Sequence, residues 1–226
     1  MRPIALLLLF VSLVGCDGLF SENDDELGEV ERGEARYLVT FDATWSAESH
    51  PDMFPASAHF STLTGAAHVG GLSLWEVGGT ATDGIRSMAE TGATDLLRGE
   101  VAGLGTDAAY VEGGYVGVSP GAATVEVTVS DDRPHLSVVS MLAPSPDWFV
   151  GVNGLDLRTN DGWIDRTTVD LVVYDAGTDD GVTYTAENAA RAVRAPIAEV
   201  AYAPLTGTTV GTFIVERIEE DGSAGN

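Results

Sequence analysis

The sequence predicts an all-β fold, an antiparallel β-sandwich with one or two short helices in a connecting region. Three observations predict it. Residues 37–45 (YLVTFDATW) place Tyr37, Val39, Phe41, Ala43 and Trp45 on one face, the period-two pattern of a half-buried strand. Residues 122–131 alternate in the same way through Val125, Val127 and Val129. Further apolar runs recur between clusters of Gly, Asp and Pro, and only one stretch carries helix signals.

Taken in order, the strand at 37–45 is followed by a region with different punctuation. Thr82-Asp83 is suited to cap a short helix carrying Ile85, Met88 and Ala89, and Thr94-Asp95 another carrying Leu96, Leu97 and Val101. The 122–131 run ends in the turn signal Asp131-Asp132-Arg133-Pro134. A second run, 135–143, follows directly, which predicts a hairpin between the two. Later strands are expected over 163–174, 198–203 and 208–218, with Gly-, Asp- and Pro-rich turns between them. The folded domain is expected to span 37–219 and to leave a disordered tail at 220–226.

Composition narrows the function classes. The chain has 226 residues with 35 Asp or Glu against 11 Lys or Arg, a formal charge of −24, and every one of those cations is Arg. An acidic surface of this kind repels phosphate backbones, so nucleic acid is excluded as a partner. With 44% apolar residues the chain has enough material for a core, and a wholly disordered acidic protein is excluded. The single cysteine, Cys16, excludes an intramolecular disulfide and a cysteine-based zinc cage.

That cysteine closes an export signal. Arg2 precedes an apolar stretch of about a dozen residues, too short to span a bilayer as a helix, which needs about 20. Residues 1–15 read as a signal peptide. Leu13-Val14-Gly15-Cys16 resembles the lipobox of bacterial lipoproteins, which implies cleavage before Cys16, acylation of that residue and attachment to a membrane through its lipid. Residues 17–36 hold eight acids and two Arg, so 16–36 is expected to be a lipidated cysteine followed by an extended, self-repelling tether.

Three stretches identify the domain further. The first is Trp45-Ser46-Ala47-Glu48-Ser49-His50-Pro51, with Phe54-Pro55 and His59-Phe60-Ser61 after it. The second is Leu74-Trp75-Glu76-Val77-Gly78-Gly79, with Gly65 and His68 upstream. The third is the run SVVSMLAPSPDWFVGV at 137–152, followed by DAGTDDG at 175–181. In this order they resemble the spondin domain of the F-spondin and mindin type, from about residue 37 to residue 188. The resemblance implies a β-sandwich and a Ca²⁺ site built from the Asp of PSPDW and the two Asp of DAGTD, here Asp147, Asp175 and Asp179. The sequence departs from the animal proteins in having no Cys pair after the PSPDW strand, and their flanking modules are not expected here.

The residues themselves suit that chemistry. Calcium takes six to eight oxygen ligands in flexible geometry, which loops offering carboxylates and carbonyls supply. Gly177 and Gly181 let the 175–181 loop bend, and Pro144 and Pro146 tighten the loop of Asp147. The loop is not an EF-hand, because its sixth and twelfth positions are Asp180 and Ala186. Asp180 is a possible additional ligand. Affinity of the order expected for extracellular modules, about 10⁻⁴–10⁻³ M, follows.

Competing constellations are weaker. His50, His59 and His68 with Glu76 lack the helical spacing of a zinc motif and read as core or turn hydrogen-bonding groups. Gly117-Val118-Ser119-Pro120-Gly121 matches a nucleophile-elbow pattern, but Pro120 removes an N–H that an oxyanion hole needs and a strand follows, so it reads as a turn. Trp148 and Phe149 are either a contact surface or, as strand residues more often are, core. The expectation is a non-enzymatic, exported, lipid-anchored module of the periplasm or cell surface. It would bind Ca²⁺ and an extracellular ligand such as a polysaccharide, a matrix component or an envelope protein. The alternatives are a secreted polymer-acting hydrolase with a structural or catalytic metal, for which no general base stands out, and a purely structural envelope component.

Overall fold

The computed structural model describes residues 33–218. The expected signal peptide, Cys16, all but the last few residues of the expected acidic tether, and residues 219–226 lie outside the described residues. The chain opens with β1 (Glu34–Ala43) and two shorter strands, β2 (His59–Phe60) and β3 (Thr64–His68). Helices α1 (Asp83–Thr91) and α2 (Asp95–Gly103) lead through a single 3-10 turn into β4 (Ala108–Glu112). The long strands β5 (Gly121–Ser130), β6 (His135–Ala143) and β7 (Trp148–Asp156) follow. A small hairpin of β8 (Arg158–Thr159) and β9 (Gly162–Trp163) precedes β10 (Arg166–Leu171). The described chain ends with β11 (Tyr174–Asp175), β12 (Ala198–Glu199) and β13 (Gly211–Ile218).

Two antiparallel sheets carry the fold. One has the order β10-β13-β1-β5; the other has β12-β11-β7-β6-β3-β4, with β2 pairing the far end of β6. Between them Tyr37, Val39 and Phe41 of β1, the three valines of β5, and Phe213 and Val215 of β13 meet Leu136, Val138 and Leu142 of β6 and Trp148 and Val150 of β7. The outer face of the second sheet is covered too. There Val139 and Met141 of β6 and Phe149 of β7 pack with Trp75, Ile85 and Met88, and with Leu97 and Val101 of α2. The all-β sandwich expected from sequence therefore carries a third, helical layer on one face. This explains why β6 is buried at all but its first position whereas β1 and β5 alternate: of these three strands, β6 is the one covered on both faces.

Helix α1 starts as its sequence requires. The Thr82 side chain accepts a hydrogen bond from the Ile85 N–H at 3.1 Å, and Gly92 in the left-handed region ends the helix. Glu100 of α2 accepts from the Gly84 N–H and the Thr82 hydroxyl, tying the two helices together. Thr94 makes no side-chain cap bond for α2, and Leu96 points outward while Leu97 and Val101 are buried.

Several expectations are corrected. β5 and β6 do not form a hairpin: β5 pairs with β1, β6 with β3 and β7, and the turn after Ser130 carries the chain from one sheet to the other. A turn signal marks a reversal without saying which sheet receives the next strand. The first strand begins at Glu34 rather than Tyr37, because Ala35 is buried opposite Val129 and Arg36 forms an ion pair with Glu126. The 163–174 run is divided among β9, β10 and β11, and of 198–203 only Ala198 and Glu199 pair as a strand.

This topology fixes where the loops lie. Arg36 pairs with Ile218 and Glu34 with Ser130, so the chain enters and leaves the sheet at one end. His135 pairs with Asp156 near that end, while the β6–β7 loop that carries Asp147 and the loop after β11 lie at the other.

Candidate functional site

Asp147 ends the loop between β6 and β7, and Asp175 ends β11, which pairs with β7 so that Asp175 stands opposite Trp148. The two acids therefore arrive side by side at one end of the sheet. Asp147 is fully buried, and its Oδ2 accepts from the Thr178 N–H at 2.7 Å, the Asp179 N–H at 3.0 Å and the Thr178 hydroxyl at 3.2 Å. Its backbone carbonyl accepts from the Ala176 N–H at 3.1 Å, so Asp147 organises the whole 176–179 turn. Its Oδ1 is buried with no hydrogen-bond partner.

That orphan oxygen is the informative feature. A buried carboxylate oxygen without a donor costs free energy, and native proteins seldom leave one without a reason. Burial, and then the negative charge of Asp175, push the Asp147 carboxyl up from 3.8 to about 6, against the pull of the Thr178 and Asp179 donors. Among the described residues, none of the ion pairs involves Asp147, Asp175 or Asp179.

Asp175 is half-buried. Its Oδ1 accepts from the Gly177 N–H at 2.7 Å and its Oδ2 from the Tyr202 hydroxyl at 3.2 Å. Burial and then Asp175 push the Tyr202 phenol up to about 12, with a smaller push from Asp147. Asp179, 2% exposed, uses Oδ1 to accept from the Gly181 N–H and Oδ2 from the Ala189 N–H, both at 2.7 Å. Both oxygens of Asp179 thus hold the loop, although each retains a lone pair. Asp180 is exposed and forms an ion pair with Arg191 at 2.8 Å. The structure brings Asp147 and Asp175 together and turns Asp179 toward backbone donors. Among the described residues no three His, Cys, Asp or Glu side chains are already arranged to hold a metal ion.

The loop needs its glycines. Gly177 has φ +74°, and a Cβ there would lie 2.2 Å from the Ala195 carbonyl oxygen; one at Gly181 would lie 2.5 Å from Pro146 Cγ. Close packing of 175–181 against 195 and against the Pro146 loop is what brings the carboxylates together.

The remaining candidates are structural. His50 Nε2 lies 2.6 Å from the Thr208 hydroxyl, His59 Nδ1 2.7 Å from the Ser57 carbonyl, and His68 Nε2 2.8 Å from the Ser137 hydroxyl. Each histidine serves its own neighbourhood. Ser119 is buried and donates to the Trp45 carbonyl at 2.7 Å, and β5 starts two residues later, as a turn requires. Trp148 and Phe149 are fully buried core residues. Sequence reasoning missed two members of the site. Thr178 donates twice to Asp147 from inside the recognised motif, and Tyr202 arrives from a turn beyond the recognised stretch, where no sequence signal marks it.

Comparison with known proteins extends the resemblance. The Spondin_N family model matches residues 35–207. The chain is 36% identical to Spondin-1 of Gallus gallus over 165 residues, covering 69% of this chain and 21% of that protein. It is 32% identical to Spondin-1 of Homo sapiens over 214 residues, covering 86% of this chain and 26% of the relative. With Spondin-2 of Homo sapiens it shares 34% identity over 176 residues, 75% of this chain and 53% of the other. The chain thus spans about a quarter of the Spondin-1 length and about half of Spondin-2.

Proposed function

The chain belongs to the spondin N-terminal domain family, and from that membership we propose that it is an exported, calcium-binding, non-enzymatic spondin module. From the lipobox-like Leu13-Val14-Gly15-Cys16 we propose that it is attached to a membrane through lipid on Cys16. The observation that carries the calcium reading is the unpartnered, buried Oδ1 of Asp147 beside Asp175. Two neighbouring carboxylates, Asp147 fully buried and Asp175 half-buried, with no cation side chain among the described residues paired to either, present hard oxygen donors of the type Ca²⁺ prefers. Asp147 and Asp175 would supply the direct ligands. Asp179 would complete the set through the lone pairs its backbone donors leave free. A bound Ca²⁺ would supply positive charge to offset the repulsion between Asp147 and Asp175.

The module would present this loop to an extracellular ligand such as a polysaccharide, a matrix component or an envelope protein. Its position supports that role, at the end of the sandwich away from the paired ends of the described chain. The proposed attachment rests on Cys16; among the described residues no helix is long and apolar enough to cross a membrane. A melt in Ca²⁺ against chelator tests the cation. A higher melting temperature with Ca²⁺, lost in Asp175→Ala, supports the site, and an unchanged temperature sinks it. A glycan array with and without Ca²⁺ tests the ligand class.

A further inference from the structure

The 201–207 turn brings one more side chain to the same site. Tyr202 opens a tight turn in which its carbonyl accepts from the Leu205 and Thr206 N–H groups at 3.0 and 2.8 Å. The turn is pinned at its base by the Gly207 N–H to Val200 carbonyl bond at 3.0 Å, and Leu205 is buried to 1% exposure. Val200 is tied in turn to Val173, just ahead of β11, by a 2.8 Å bond. The backbone under Tyr202 is therefore fixed relative to the strand that carries Asp175.

From this base the ring stands edge-on to Trp148, centroids 6.2 Å apart, and the hydroxyl donates to Asp175 Oδ2. Trp148 adjoins Asp147 in the chain and pairs with Asp175 across the strands, so the ring lies beside both acids. It is 39% exposed, whereas Asp147 is fully buried. Without Tyr202, the one hydrogen bond left to orient Asp175 among the described residues would be that of the Gly177 N–H on its other oxygen.

Resting on the calcium reading above, we propose that Tyr202 is the positioning residue of the site. Its hydroxyl would fix the rotation of the Asp175 carboxylate for the cation, and its half-exposed ring would retard the cation's release to solvent. A phenolic hydroxyl donating to a ligating carboxylate is the kind of outer partner whose removal costs metal affinity roughly 10- to 100-fold.

The test uses the purified protein and Ca²⁺ alone, comparing Tyr202→Phe and Tyr202→Ala with the parent. Affinity is read by calorimetry and cation release by stopped-flow mixing with a chelator; circular dichroism checks that each variant folds. The expected result for Tyr202→Phe, which keeps the ring, is a roughly 10-fold weaker affinity. Tyr202→Ala should weaken binding further and release the ion faster than Tyr202→Phe does. A purely packing role would leave Tyr202→Phe equal to the parent while Tyr202→Ala fails, and that outcome overturns the proposal. Failure of the parent itself to bind Ca²⁺ overturns the calcium reading, and this inference with it. Parent binding with both variants unaffected overturns the role of Tyr202 alone.

Discussion

Replacing Asp147 with Asn isolates the charge on which the site is built. In the cation-free protein the folded state holds the Asp147 proton more tightly than the unfolded chain does, with a pKa of about 6 against 3.8. At this group the native state thus binds more protons between those values, and its contribution to stability falls as pH rises from about 4 to 6. Two pH units at about 1.4 kcal/mol each make the loss on the order of 3 kcal/mol once the group is fully ionised. Asparagine removes that charge and can still accept from Thr178 and Asp179. Its amide N–H₂ then takes the place of the unpartnered Oδ1, at a cost of about 1–3 kcal/mol. At neutral pH with chelator, Asp147→Asn should therefore be as stable as the parent or more stable by about 1–2 kcal/mol. The variant should lack the Asp147 contribution to the decline over this range. Added Ca²⁺ should stabilise the parent and leave the variant unchanged. Denaturant melts across this pH range, with Ca²⁺ and with chelator, read all of these effects. A variant that loses several kcal/mol in chelator yet keeps the full Ca²⁺ increment would refute the reasoning.

Three other outcomes are expected. Gly177→Ala forces a Cβ onto the Ala195 carbonyl at positive φ and should destabilise the fold by at least about 1–3 kcal/mol, with weaker Ca²⁺ binding, by melts and calorimetry. Phe41→Ala removes a fully buried ring that meets Phe60 and Phe213 edge-on at 4.7 and 5.3 Å, and should cost about 3–5 kcal/mol in chemical unfolding. Cys16→Ser should move the protein from the membrane to the soluble fraction on cell fractionation, and continued membrane association would count against lipid attachment.

How much of this was legible beforehand varies with the physical signal. β1 and β5 were readable because each buries one face, and the Thr82 cap of α1 was readable because capping is local. β6 carries no clean alternation because helices cover its second face, and the partner of β5 lies far off in the chain, so adjacency in sequence suggested the wrong pairing. Asp147, Asp175 and Asp179 stood out through short ordered motifs. Their present division of labour, with Asp147 partly unpartnered and Asp179 serving the loop, depends on which backbone N–H groups fold back onto each. Tyr202 reaches Asp175 from 27 residues away through a turn whose placement is tertiary.

A calorimetric titration of the chelator-stripped protein with Ca²⁺ tests the central claim most directly. The account predicts saturable binding at one site, with a dissociation constant on the order of 10⁻⁴–10⁻³ M, absent in Asp147→Asn and Asp175→Ala. No binding in the parent, or binding that survives both substitutions, would contradict it.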